Sequence, residues 1–198
     1  METLSTRILE EVVALPEAAP IYAKALLHLG SRAAVDQTLS RLVRRGQLLR
    51  AGRGLYLRPI ETRFGRRTPS VEVVLNALQA ETGETITPSG AAAANTLGLT
   101  TEVPVRTIYL TSGPSRRLRF GAQRVELQHA PPWQLTLPRR PAGEVIRALA
   151  RFGRERGAEL TSQLKHTLSP ETVQELLSAR GRVPTWIAEQ ISALVARA

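Results

Sequence analysis

A chain of 198 residues, 42% of them hydrophobic, is long enough for one larger domain or two small ones with separate cores. It contains no cysteine, which removes disulfides, thiol chemistry and cysteine-liganded zinc fingers together and fits a reducing cytoplasm. The net charge of +10, from 27 basic and 17 acidic residues, points to an anionic partner; no apolar run nears the roughly 20 residues that span a membrane, and acids within the N-terminal apolar pattern argue against a signal peptide.

The charge is uneven. Residues 32–67 hold ten basic residues against Asp36 and Glu61, net +8, whereas residues 70–198 hold 15 against 11, net +4. Of the 27 basic residues 25 are arginine, a ratio that a GC-rich coding genome accounts for equally well. The local excess has no such compositional origin.

In chain order, Ile8, Leu9, Val12, Val13 and Leu15 recur at helical spacing and predict a helix over 5–15, ended by Pro16. A short helix over 22–29 follows, stopped by Gly30. Ser31 caps a third helix over 32–45, with Gly46 at its end. Its apolar stripe is Val35, Leu39, Leu42 and Val43. The opposite face carries Ala33, Gln37, Ser40, Arg41 and Arg44. QLLRA and LYLRP then read as two strands around a Gly52-Arg53-Gly54 turn, where glycine permits positive φ. Helix, helix, helix and hairpin within about 60 residues is the order of a winged helix-turn-helix.

Glu61 to Pro69 is polar, with Gly and Pro, and reads as a linker whose boundary falls at 66–69. Helices are expected over 71–79 and 91–97. Three strands follow, over 105–111, 116–120 and 123–128, with a turn at Gly121-Ala122. The proline-rich stretch 130–141 reads as a loop. Helices resume over 142–156, 169–179 and 185–196. The fold class expected is α+β: a winged helix-turn-helix over 1–65 and a mixed α/β domain over 70–198, with a small sheet and C-terminal helices.

Double-stranded DNA fits the first domain, because a major groove admits one helix whose exposed side chains reach base edges. Gln37 is suited to adenine and Arg41 to guanine. Gln37, Ser40, Arg41 and Arg44 are the candidates for the groove. Arg32, Arg45, Arg50, Arg53 and Arg58 are the candidates for phosphates or the minor groove, with Arg53 at the wing tip. Arg106, Arg116, Arg117, Arg119 and Arg124 make a second basic cluster, open equally as a nucleic-acid or partner surface and as a solvated strand face. Ser89 before a helix reads as an N-cap rather than an anion site.

No enzyme is legible. His28, His129 and His166 are scattered, and Asp36 is the only aspartate, so neither metal-ligand spacing nor a carboxylate-rich phosphoryl-transfer site is present. No phosphate loop and no G-x-S-x-G occurs. No catalytic residue, metal or cofactor is expected.

SRAAVDQTLSRLVRRGQLLRAGRGLYLRP at 31–59 resembles the N-terminal winged helix of the AbiEi-type antitoxins of bacterial type IV toxin–antitoxin systems. TPSGAAAANTLGLTTEVPVRTIYLTSGPSRRLRFGAQRVELQHAP at 87–131 resembles their C-terminal region, and the likeness covers roughly residues 5–131. The resemblance implies a cytoplasmic repressor that binds inverted repeats in its own promoter, with possible pairing on that DNA. It also implies a C-terminal domain that counteracts a neighbouring nucleotidyltransferase-like toxin without a stable complex. Two other readings stay open: a stand-alone winged-helix regulator with a sensing or dimerisation domain, and a nucleic-acid-processing enzyme.

Overall fold

The structure, a computed structural model, describes residues 2–102 and 106–195. It is a mixed α+β protein with small sheets. Helix α1 (Leu4–Ala14) is capped by Thr3, whose side chain accepts from the Thr6 N–H, and buries Ile8 and Val12, four residues apart on one face. Strand β1 (Ile21–Tyr22) leads into a 3₁₀ helix (Ala23–Leu29) and then α2 (Arg32–Arg44). The short helix expected over 22–29 is therefore a 3₁₀ segment preceded by a strand.

Strands β2 (Leu49–Gly52) and β3 (Leu55–Leu57) complete a three-stranded antiparallel sheet in the order β1-β3-β2. Tyr56 pairs with Ile21 on one side and with Arg50 on the other, and a bulge falls between Arg50 and Gly52. β3 is the central strand, and Leu55, Tyr56 and Leu57 are all buried.

The stretch expected to be a linker folds. Strands β4 (Ile60–Thr62) and β5 (Gly65–Arg67) form an antiparallel hairpin, and α3 (Val71–Thr82) follows, capped by Ser70. Next come β6 (Ile86–Pro88), α4 (Gly90–Thr96), β7 (Thr107–Thr111), β8 (Arg116–Phe120) and β9 (Gln123–His129). These strands form a sheet in the order β6-β7-β9-β8, with β6 antiparallel to β7. Val105, expected in a strand, and Ala196, expected in a helix, lie outside the described residues. The proline-rich loop contains a 3₁₀ turn (Pro132–Leu135).

Helix α5 (Pro141–Leu164) runs beyond the expected end at 156 and is interrupted at Gly153, whose φ of 77° and ψ of 178° are not helical. α6 (Pro170–Ala179), a 3₁₀ turn (Arg180–Arg182) and α7 (Thr185–Val195) end the described chain. No helix among the described residues is long and apolar enough to cross a membrane.

By packing, the chain divides into two compact units: Met1–Glu84 with Arg117–Val125, and Thr85–Arg116 with Glu126–Ala198. The division expected at 66–69 thus differs from the grouping by contact, which adds α3 and the tip of the β8–β9 hairpin to the first unit. The first unit's core joins Ile8 and Val12 of α1, Ile21, Ala23 and Leu26, the α2 residues Val35, Leu39 and Leu42, and Leu48 and Tyr56. The second unit's core is helical: Val145, Ile146, Leu149, Leu160 and Leu164 of α5, Leu176 of α6, and Ile187, Ile191 and Leu194 of α7. The alanine-rich α4 lies against α5 so closely that a Cβ on Gly90 would stand 2.4 Å from the Arg147 carbonyl oxygen.

Candidate nucleic-acid interface

Helix α2 is specified at both ends. The Ser31 hydroxyl accepts from the Ala34 N–H at 3.3 Å, and Arg41 and Arg44 occupy the last turn, where cations complement the helix dipole. One face is fully committed to the core through Val35, Leu39 and Leu42. Thr38 is buried beside them because its hydroxyl donates to the Ala34 carbonyl at 2.8 Å. The other face leaves Arg32, Ala33, Gln37, Ser40, Arg41 and Arg44 exposed.

The exposed groups differ in their freedom. Arg32 Nε donates to Asp36 Oδ2 at 2.8 Å, an exposed pair one turn apart that contributes only a few tenths of a kcal/mol. A phosphate competes easily for that guanidinium. Ser40 donates its hydroxyl proton to the Asp36 carbonyl at 2.8 Å, so towards a base it acts as an acceptor. Arg44 Nε reaches the Ser40 carbonyl at 3.4 Å. The side chains of Gln37, Arg41 and Arg45 carry no protein hydrogen bond or ion pair among the described residues.

In the adjoining hairpin the apolar residues dock and the cations project. Gly54 has a φ of +67° at the turn. Ala51 and Leu55 to Leu57 are buried, while Arg50 and Arg53 are exposed and without a protein partner among the described residues. Arg58 is half-buried, and its Nη1 donates to the Val13 carbonyl in the last turn of α1 at 3.4 Å, so it is tied to that helix end rather than standing free beside the turn.

Of the second basic cluster, Arg117, Arg119 and Arg124 belong to the first unit, and Arg106 and Arg116 to the second. Along β8, exposed Arg117 and Arg119 alternate with buried Leu118 and Phe120. Leu118 Cδ2 lies 3.3 Å from where a Cβ on Gly52 would stand, so this strand packs directly on the β2–β3 turn. Arg119 Nε donates to the Gly121 carbonyl at 2.9 Å and Arg116 Nη1 to the Pro114 carbonyl at 3.1 Å.

Sequence reasoning missed the β4–β5 hairpin. Its signals were the Arg63-Phe64-Gly65 turn and the Arg66-Arg67 pair, three residues a side and too short for alternation to register.

The second unit holds one charge deep inside. Arg147 is 1% exposed. Its Nη2 donates to the Pro138 carbonyl at 3.4 Å, and Nε and Nη1 have no partner among the described residues. Burial pushes its pKa down to about 10, and the carboxylate of Glu144 one turn earlier opposes that shift. The same burial raises the Glu144 carboxyl, which the Arg147 charge draws back. At the start of α5, Arg140 Nε donates to Glu175 at 2.6 Å and Nη2 to Glu171 at 3.0 Å, fixing α6 beside it and raising the guanidinium pKa. Among the described residues, no three of His, Asp and Glu gather as a metal site.

A model of the DUF6088 family, a family of unknown function, matches residues 7–176. The chain belongs to the DUF6088 family. The family description carries no activity with it. No curated protein matches. The chain is also similar in structure to the RV2827C protein from Mycobacterium tuberculosis, whose crystal structure aligns with a TM-score of 0.50 at 18% identity, over 97% of this chain and 76% of that one. At that identity the likeness is one of fold.

Proposed function

We propose that this DUF6088 chain is a DNA-binding transcriptional repressor whose first unit is a winged helix-turn-helix. In this reading α2 is the recognition helix and the β2–β3 hairpin is the wing. One observation carries it. The core-facing side of α2 is wholly buried, whereas its opposite side offers Gln37 and Arg41, and its C-cap Arg45, with no side-chain partner among the described residues, in the most basic window of the chain. Gln37, Ser40, Arg41 and Arg44 face the groove. Arg32, Arg45, Arg50 and Arg53 serve the phosphates, and Arg58 joins them only by giving up the α1 carbonyl.

A mobility-shift titration with the promoter upstream of the chain's own gene, beside a scrambled duplex, tests this. A shift that favours the promoter is expected. No shift at low salt sinks the reading.

The antitoxin half of the proposal rests on the sequence resemblance to AbiEi-type proteins. It assigns to the second unit the antagonism of a nucleotidyltransferase-like toxin, and no catalysis of its own. Co-expression with the product of the adjacent gene decides it: restored growth supports the assignment, and an adjacent gene without nucleotidyltransferase motifs removes it.

A further inference from the structure

The hairpin of β4 and β5 ends in an aromatic ring held out in water. Phe64 is 86% exposed, more than any other large apolar side chain described. It contributes nothing to either core, yet the turn that presents it is well built. Thr62 Oγ1 donates to the Gly65 carbonyl at 2.7 Å and accepts from the Phe64 N–H at 3.2 Å. The guanidinium of Arg63 stands 4.7 Å from the Phe64 ring centroid. Arg66 Nε binds Glu61 at 2.6 Å, and its Nη1 donates to the Gly46 carbonyl at 3.4 Å, just past the end of α2. That bond sets the hairpin beside the end of the helix that carries Arg44 and Arg45. With Glu61 already paired, Arg63 at the turn and Arg67 at the other end of β5 remain exposed cations on the same hairpin as the ring.

An exposed apolar ring beside a guanidinium, on a hairpin with a further free cation, has a specific use. The cations hold phosphates, and the ring packs on sugar and base surfaces in the groove between them. We infer that the β4–β5 hairpin is a second DNA-contacting arm, in which Phe64 packs against bases of the duplex flanking the α2 site while Arg63 and Arg67 hold the adjoining phosphates. Duplex DNA is the occupant because the arm is bonded to the end of α2 and continues its row of exposed arginines. A lipid surface would be met by a cluster of apolar residues, and this tip has one. The inference rests on the DNA-binding reading above.

The test uses the full chain and a duplex from its own promoter, with 2-aminopurine replacing successive adenines. Binding of the unmodified chain should change the fluorescence at one or two positions beside the α2 site. Phe64→Ala should abolish that change and weaken binding about tenfold, and Phe64→Trp should restore both. A residue so exposed is replaced without cost to the fold, and equal melting temperatures of the variants verify this.

If the chain binds and Phe64→Ala alters neither affinity nor fluorescence, the arm is not in the interface, and DNA binding by α2 stands. If the chain binds no duplex, the DNA-binding reading falls and takes the arm with it. Phe64-dependent cosedimentation with phosphatidylserine vesicles, alongside unchanged DNA binding, would assign the tip to membranes instead.

Discussion

Arg41 and Arg53 are both exposed and both unpaired among the described residues, but in the proposed DNA-binding reading they stand on elements that would reach different parts of a duplex. Arg41 lies on the helix face opposite Val35 and Leu39, so Arg41→Ala is expected to cost roughly 1–3 kcal/mol on the operator and to relax sequence preference. Arg53 sits at a turn, and Arg53→Ala should weaken operator and random DNA alike. Affinities of both variants for both duplexes separate the two roles; a loss confined to the operator for Arg53→Ala would mean that the turn reads sequence or groove width. Arg147 makes the contrary case. Its folded pKa of about 10 lies below the ordinary 12.5, so the unfolded chain holds more protons between those values and stability rises with pH across that window. Below it the cost of burying the charge is fully present. Arg147→Met, similar in volume and neutral, should stabilise the chain at neutral pH by up to about 3 kcal/mol in denaturant titration. A loss of stability would mean that the guanidinium has a partner beyond the Pro138 carbonyl. Of these residues the sequence made the outward face of α2 legible, since Val35, Leu39 and Leu42 declare the inward one. It could not announce Arg147, whose neighbours in the helix give no sign that a charge goes inside.

Elements were legible in proportion to their length. α1, α2, α3 and α6 fall within a few residues of where apolar spacing, joined at α2 by the capping Ser31, places them. Strands β1, β4, β5 and β6 are two or three residues long and show no period at all; tertiary pairing, not pattern, makes them strands. α5 was half legible. Gly153 marks a break, but Gly157, Leu160, Thr161 and Leu164 repeat at three- and four-residue spacing beyond it, and the helix resumes. The break has a mechanical cause that can be tested. Nothing lies within 4 Å of where a Cβ on Gly153 would stand, so alanine fits the space, yet its φ of 77° and ψ of 178° belong to glycine almost alone. In a straight helix Gly→Ala stabilises by roughly 0.5–1 kcal/mol. Here Gly153→Ala should destabilise by roughly 1–3 kcal/mol, read as a lower denaturant midpoint with unchanged slope. A stabilising result would show that the two helical segments tolerate merging into one.

At the scale of the molecule the charge distribution gives the proposed DNA binding a measurable salt dependence. The window at 32–67 carries ten basic residues against two acids, and the structure leaves most of those arginines exposed. With on the order of five phosphates neutralised, the logarithm of affinity should fall with the logarithm of salt at a slope near −0.9 per phosphate, about −4.5 in all. Titrations at two salt concentrations measure it, and a flat response would mean that the arginines meet something other than a phosphate backbone. The overall α+β class was legible from the order of elements. The composition of the units was not, because the tip of β8 and β9 is recruited to the first unit by a contact such as Leu118 on Gly52, which no local pattern encodes.

That recruitment has a consequence for synthesis. The first unit's core lies between Ile8 and Tyr56 and is complete as soon as that stretch leaves the ribosome. Leu118, which covers the Gly52 turn, is translated on the order of ten seconds behind Gly52 at ordinary ribosomal elongation rates. A nascent chain therefore passes through a stage in which the first unit has a finished interior and an uncovered turn. A transcript cut short before codon 118 would leave it in that state permanently.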